Sequence, residues 1–170
     1  SLIWFGIIVF ALQLYYDFSG YSDMAIGLAK LCGFEFKENF NFPFAARTLT
    51  DLWKRWHISL TSFFRNYVYI PLGGSQVGKG RMYFNLLFVF FLTGLWHGPS
   101  WNCILWGVCT GLFLLIEKLF LRKWIDKLPY VIANMYTFFL FITALLIFKI
   151  ERGDQLADVL QKAFFLQTEY

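Results

Sequence analysis

Apolar residues in this chain fall in long runs separated by short polar, glycine-rich or basic connections. Residues 1 to 16 are mostly apolar and predict a helix. It meets a polar patch, Asp17-Phe18-Ser19-Gly20-Tyr21-Ser22-Asp23, before a second apolar stretch from Met24 to Leu31. The connection from Gly33 to Arg47 carries Asn39, Asn41 and Pro43, which argue against a straight helix and predict an interfacial or re-entrant loop. Beyond it the period becomes helical: Leu49, Leu52, Trp53, Trp56, Leu60, Phe63, Phe64 and Tyr67 share one side, with Thr48-Leu49-Thr50-Asp51 spaced as a capping box. Asp51, Lys54, Arg55, Ser59, Ser62 and Asn66 occupy the other side. This predicts one amphipathic helix lying along the interface or between other helices, with His57 beside its apolar stripe.

Pro71 and the run from Gly73 to Gly80 end that element. Tyr83 to Ile116 then stays apolar over about 50 Å if straight, against a hydrocarbon core of about 30 Å, so the run must bend or fold back. Its natural break is Gly94-Leu95-Trp96-His97-Gly98-Pro99-Ser100. Arg81 and Lys118 bracket the run, and a helical hairpin places both basic ends on one side and His97 at the turn. Pro129 to Ile150 is a further span of ordinary length, and Asp154 to Tyr170 is a polar, amphipathic tail. The fold class is therefore all-α, a multi-pass integral membrane protein with a re-entrant or interfacial amphipathic segment. No internal repeat is present.

Composition agrees: 58% of residues are hydrophobic and 22% aromatic, and the 15% charged falls well below the roughly 25% of soluble domains. Mean hydropathy is +0.54. The net charge of +4 is unevenly placed, with Arg47, Lys54, Arg55, Arg65, Lys79 and Arg81 in one block and Lys118, Arg122, Lys123 and Lys127 in another. Both blocks flank apolar runs, as cytoplasmic anchors do. A basic soluble face for nucleic acid is absent, so the partner is the lipid bilayer. Cys32, Cys103 and Cys109 show no Cys-x-x-Cys spacing, and Cys103 and Cys109 lie roughly 9 Å apart on one helix, beyond disulfide reach, as packing residues. The chain opens at Ser1 directly in an apolar run, and residues 1–170 read as one internal fragment of a larger protein.

His97 is the sharpest candidate for chemistry, because an ionisable side chain within an apolar run is costly in lipid and tends to face a cavity or a partner. Gly94 and Gly98 allow close approach, and Pro99 frees carbonyls. A histidine bonded to a turn carbonyl is the alternative. His57, between Trp56 and Ile58 and next but one to Arg55, is either a functional polar residue or an interfacial anchor. Asp17 and Asp23 can orient a histidine, pair with Arg47 or Arg55, or cap a broken helix. Gly73-x-x-x-x-Gly78-Lys79 follows the β-prone run Tyr67 to Leu72 and imitates a phosphate-binding loop. Gly80, however, stands where a magnesium-binding hydroxyl belongs, and a membrane helix follows. Two histidines forty residues apart, with no third ligand near, give no metal spacing.

Five ordered motifs between about residues 10 and 115 resemble the membrane-bound O-acyltransferase family. They are Tyr15-Tyr16-Asp17-Phe18-Ser19-Gly20-Tyr21-Ser22-Asp23-Met24-Ala25-Ile26-Gly27, Glu38-Asn39-Phe40-Asn41, Trp53-Lys54-Arg55-Trp56-His57-Ile58-Ser59-Leu60, Tyr69-Ile70-Pro71-Leu72-Gly73-Gly74 and Gly94-Leu95-Trp96-His97-Gly98. The bacterial branch of alginate O-acetylation fits best, with teichoic-acid D-alanyl transfer more distant. The resemblance implies a helical enzyme around a central tunnel, with His97 catalytic and His57 a second polar residue near it. Asp17, Asp23, Trp96, Arg55 and Asn41 become supporting or substrate-path residues. It also implies a bacterial cytoplasmic membrane location and an acyl thioester donor such as acetyl-CoA, with no bound cofactor. The acceptor is a hydroxyl of an exopolysaccharide or cell-wall polymer, reached directly or through an extracytoplasmic partner protein. Family members carry further helices on both sides, so this fragment is not expected to form the whole tunnel. Lys54 stands where arginine is common in the family. The reading from another class is a transporter or channel whose broken helices line a path; a scaffold subunit is the third.

Overall fold

The computed structural model describes residues 2–164, all of whose regular elements are helical. The first, α1 (Leu2–Leu31), runs without a break through the polar patch at Asp17–Asp23. The expected interruption is absent. No proline lies in the segment, and the polar side chains leave the axis without competing for its backbone: Asp17 and Asp23 are exposed, while Ser22 turns inward and meets Asn39. Ile7 and Ala11 fix α1 to the core, yet only 11% of its apolar window is buried against 50% for the final span. Most of α1 therefore faces lipid or other protein.

The connection after α1 is irregular, as its asparagines and proline predict, with one 3-10 turn at Pro43–Ala45. Its carbonyls are satisfied from the last span: Asn134 Nδ2 donates to Phe44 and Ala46, and the Tyr130 hydroxyl to Ala45. The next segment corrects the expectation of one amphipathic helix. α2 (Leu49–Arg55) and α3 (Ile58–Phe64) are separate, with an extended Trp56 (φ −106°, ψ 126°) and a left-handed His57 (φ 48°, ψ 55°) between them. Thr48 caps α2 as predicted, accepting from Asp51 N at 3.1 Å. α3 widens into a π-helical turn, Arg65–Tyr69, where the sequence had looked β-prone.

α4 (Lys79–His97) and α5 (Trp101–Ile116) form the expected hairpin. They touch backbone to backbone where Gly94 crosses Gly107: a Cβ on Gly94 would lie 2.5 Å from the Cys103 carbonyl, and one on Gly107 would collide with the Phe90 carbonyl. Lys118 Nζ contacts Met82 Sδ at 3.4 Å, so the basic ends do lie together, opposite the turn that carries His97. α5 continues through a π-helical segment, Glu117–Leu121, into α6 (Arg122–Ile125). α7 (Tyr130–Lys149) is the next span, and the amphipathic α8 (Gly153–Phe164) returns to the start of α1, where Trp4 Nε1 donates to the Ala163 carbonyl at 3.0 Å. The last six residues of the predicted tail lie outside the described residues.

Among the described residues three helices are long and apolar enough to cross a membrane: Leu2–Leu31, Trp101–Ile125 and Tyr130–Lys149. Between them, α1, α2 and α7 share a core of Ile7, Ala11, Leu52, Trp56, Phe141, Ile142, Leu145 and Leu146. Cys103 is buried in the hairpin and Cys109 half-buried, consistent with packing roles; Cys32 is exposed, and all three are free thiols. Because the α4–α5 contact is backbone on backbone, Gly107→Val should cost at least the 1–3 kcal/mol of ordinary overpacking. The expected outcome is a lower melting temperature and less monodisperse protein in detergent, read by fluorescence-detected size exclusion.

Candidate functional site

The chain approaches the site through the corner at His57. A continuous helix would use the Arg55 carbonyl and the Ile58 amide internally; here the loop takes both. Asn41 N donates to the Arg55 carbonyl and Ile58 N to the Asn39 carbonyl, each at 2.9 Å. These bonds stop α2 and hold His57 in the left-handed region, at a cost of roughly 1–2 kcal/mol for a residue with a Cβ. The Asn39 side chain completes the fixation. Its Oδ1 accepts from Ser59 N at 3.1 Å and from the Ser59 hydroxyl at 2.9 Å, and lies 3.2 Å from His57 Nδ1, while its Nδ2 donates to Ser22 Oγ on α1.

An acceptor facing Nδ1 places the imidazole proton there and leaves Nε2 with its lone pair. His57 lies outside the three spans; burial first, and the charge of His97 second, push its pKa down to about 4. The ring is therefore neutral at physiological pH. Phe18 packs edge-on against it, with centroids 4.7 Å apart.

His97 ends α4 at the hairpin turn. The residue is exposed, and three rings contact its imidazole: Trp96 and Trp106 at 5.0 Å and Phe148 at 5.5 Å between centroids, all edge-on. Among the described residues neither imidazole nitrogen has a hydrogen-bond partner, so both are available to a ligand. The Gly98 amide is not: it donates to the Leu95 carbonyl at 3.2 Å. The turn is tied down from α7, whose Phe148 carbonyl accepts from the buried Asn102 side chain at 2.6 Å.

Both histidines line one cavity of about 740 Å³, together with Phe18, Trp53, Trp56, Trp96, Trp106 and Phe148. Trp96 bridges them, its ring 6.0 Å from His57 and 5.0 Å from His97. Lys54, Arg65, Lys118 and Arg122 also line this cavity. Because Lys118 lies beside Met82, near the start of α4, while His97 ends that helix, the cavity joins a basic end to a histidine end.

The other sequence candidates sit elsewhere. Arg55 pairs with Asp51 at 2.9 Å and reaches the Asn41 carbonyl at 3.4 Å, bracing the corner from outside the cavity. Asn41 acts there through its backbone, its side chain exposed. Asp17 and Asp23 are exposed on α1, which lends Leu14 and Phe18 to the cavity instead. They pair with neither expected arginine, since Arg55 is held by Asp51 and Arg47 donates to the Leu128 carbonyl at 3.1 Å. With α1 unbroken, they cap nothing. Asn39 and Ser59, which hold the corner, lie inside the Glu38–Asn41 and Trp53–Leu60 motifs, where spacing alone does not mark them. An asparagine before an aromatic, upstream of a histidine corner, becomes informative only when the two segments are seen to pair.

A family model of the membrane-bound O-acyltransferase family matches residues 1–151. The chain belongs to that family. It is 44% identical over 153 residues to a probable alginate O-acetylase of Azotobacter vinelandii, covering 90% of this chain and 30% of that protein. A peptidoglycan O-acetyltransferase of Helicobacter pylori is 37% identical over 161 residues, or 93% of this chain and 31% of the relative. The teichoic acid D-alanyltransferase of Bacillus subtilis is 33% identical over 138 residues, 75% and 34%. The chain thus spans about a third of the length of these relatives. Family membership and the three spans make it part of a multi-pass membrane protein.

Removing the Asn39 side chain leaves the Ser59 amide and the His57 ring without their acceptor. Asn39→Ala should therefore loosen the corner by about 1–3 kcal/mol. Hydrogen exchange at the Ile58 and Ser59 amides of the full-length protein should rise accordingly; unchanged exchange would contradict the assigned network.

Proposed function

We propose that the full-length protein is an O-acyltransferase of the bacterial cytoplasmic membrane. It moves a short acyl group, acetyl by preference, from a thioester to a hydroxyl of an exopolysaccharide or cell-wall polymer, directly or through an extracytoplasmic partner protein. The observation that carries this reading is the sharing of one apolar cavity by His57 and His97. The names of the relatives, which act on alginate, peptidoglycan and teichoic acid, supply the acceptor class.

In this reading His97 is the base. A neutral imidazole takes the proton of the acceptor hydroxyl as its oxygen attacks the thioester carbonyl. The C–O bond forms, the tetrahedral intermediate collapses, the C–S bond breaks, and the imidazolium returns the proton to the departing thiolate. His57, with its proton committed toward Asn39, keeps only the Nε2 lone pair and accepts from a neighbouring hydroxyl of the acceptor, because the single proton of the reacting hydroxyl goes to His97. At the other end of the cavity, Lys54, Arg65, Lys118 and Arg122 suit a donor that carries phosphate, such as acetyl-CoA, and the basic end faces the cytoplasm by the positive-inside bias. A transport path has less support, since Asp17 and Asp23 stand outside the cavity.

His97→Ala in the full-length protein, reconstituted with a thioester donor and a polymer acceptor, should lower transfer by about 10²–10⁴-fold, the usual worth of a general base. Membrane insertion should be unaffected. Transfer at the wild-type rate in that variant would refute the role of His97.

A further inference from the structure

Glu117 is the one acidic side chain buried among the described residues, at 1% exposure, where the apolar helix Trp101–Ile116 passes into its basic end. A buried carboxylate in such surroundings is costly unless its oxygens are bonded, and it tends to mark function. Both oxygens are used. Oε2 accepts from Leu49 N at 2.8 Å, and Oε1 faces Thr50 N and the Thr50 hydroxyl, each at 3.4 Å. These amides open α2. Glu117 itself opens the π-helical segment Glu117–Leu121, a rare geometry in long helices that concentrates at functional sites.

α2 needs such help. At seven residues it is too short to hold itself, and its first residue, Leu49, is buried. Thr48 satisfies Asp51 N, and Glu117 takes Leu49 N and Thr50 N. The negative charge also suits the positive end of the helix. α2 in turn supplies one wall of the histidine cavity through Thr50, Trp53 and Lys54 and leads through Trp56 to His57. The helix is thus held at two points, at its start by Glu117 from the π-helical segment and at its end by the loop amide on the Arg55 carbonyl, about 9 Å apart along six residues of rise.

We propose that Glu117 is a positioning residue for the histidine cavity: its buried carboxylate anchors the start of α2, and α2 sets the placement of Trp53 and His57 within the cavity wall. The residue touches neither histidine and acts only through the helix. Its effect on turnover rests on the acyl-transfer reading above; its effect on α2 does not.

The test uses the full-length protein in lipid nanodiscs, with Glu117→Ala and Glu117→Gln, read by hydrogen exchange and by steady-state acyl transfer. Glu117→Ala should speed exchange in residues 48–57 at least tenfold and leave residues 101–116 and 130–149 as in the wild type. Turnover should fall at least tenfold with the donor KM within threefold. Glu117→Gln keeps one acceptor oxygen and should recover at least a third of the turnover, with a smaller rise in exchange. Unchanged exchange at 48–57, an equal rise across all three segments, or wild-type turnover in Glu117→Ala would each overturn the proposal. If the alanine variant does not insert, the glutamine variant decides: faster exchange confined to 48–57 supports the anchor, and exchange identical to wild type overturns it. A wild-type protein without acyl transfer would sink the function while leaving the exchange result to judge Glu117.

Discussion

Backbone groups that leave a helix in apolar surroundings must find partners, and in this molecule the way they do so at residues 55–58 sets the geometry of everything around the site. A buried backbone group left without a partner costs about as much as a lost hydrogen bond. The loop from Asn39 to Asn41 supplies the missing donor and acceptor, and in doing so it turns the chain by a full corner at His57. The corner aims α3 away from α2 and leaves the imidazole facing a space rather than packed on a helix flank. Asn39 then fixes the ring itself, linking α1, the loop and α3 through a single amide group.

The second histidine is positioned by a different means. His97 carries no hydrogen bond from the described residues and is oriented by rings alone, at the end of a helix pressed against its neighbour through paired glycines. Close backbone packing of this kind lets the hairpin turn be rigid without polar side chains, which are expensive in lipid. Several buried or half-buried polar groups tie turns to spans: Asn102 to the end of α7, Asn134 to the loop, Asn85 to the Leu72 carbonyl, Glu117 to α2. Each bond joins segments remote in the chain, so the cavity is held by a few specific contacts set in a generic apolar core.

Lengths and compositions of apolar runs determined, from the sequence alone, that the chain is helical and membrane-embedded, that Tyr83 to Ile116 folds back at Gly94–Ser100, and that Pro129 to Ile150 spans. These properties follow from local hydrophobicity and helix rise and need no knowledge of neighbours. The cap at Thr48 was legible for the same reason. The motifs also indicated the family and singled out His57 and His97. What only the tertiary structure decided was whatever depends on pairing between distant segments. Helical periodicity ran straight through His57, because the loop that interrupts the helix lies some fifteen residues upstream and periodicity does not register it. The polar patch on α1 looked like a break, because exposure of Asp17 and Asp23 is a matter of what packs beside them. Asn39 and Glu117 were invisible as site residues, since an amide or carboxylate gains its role from the backbone groups it meets, and those are specified by the fold rather than by any spacing along the chain.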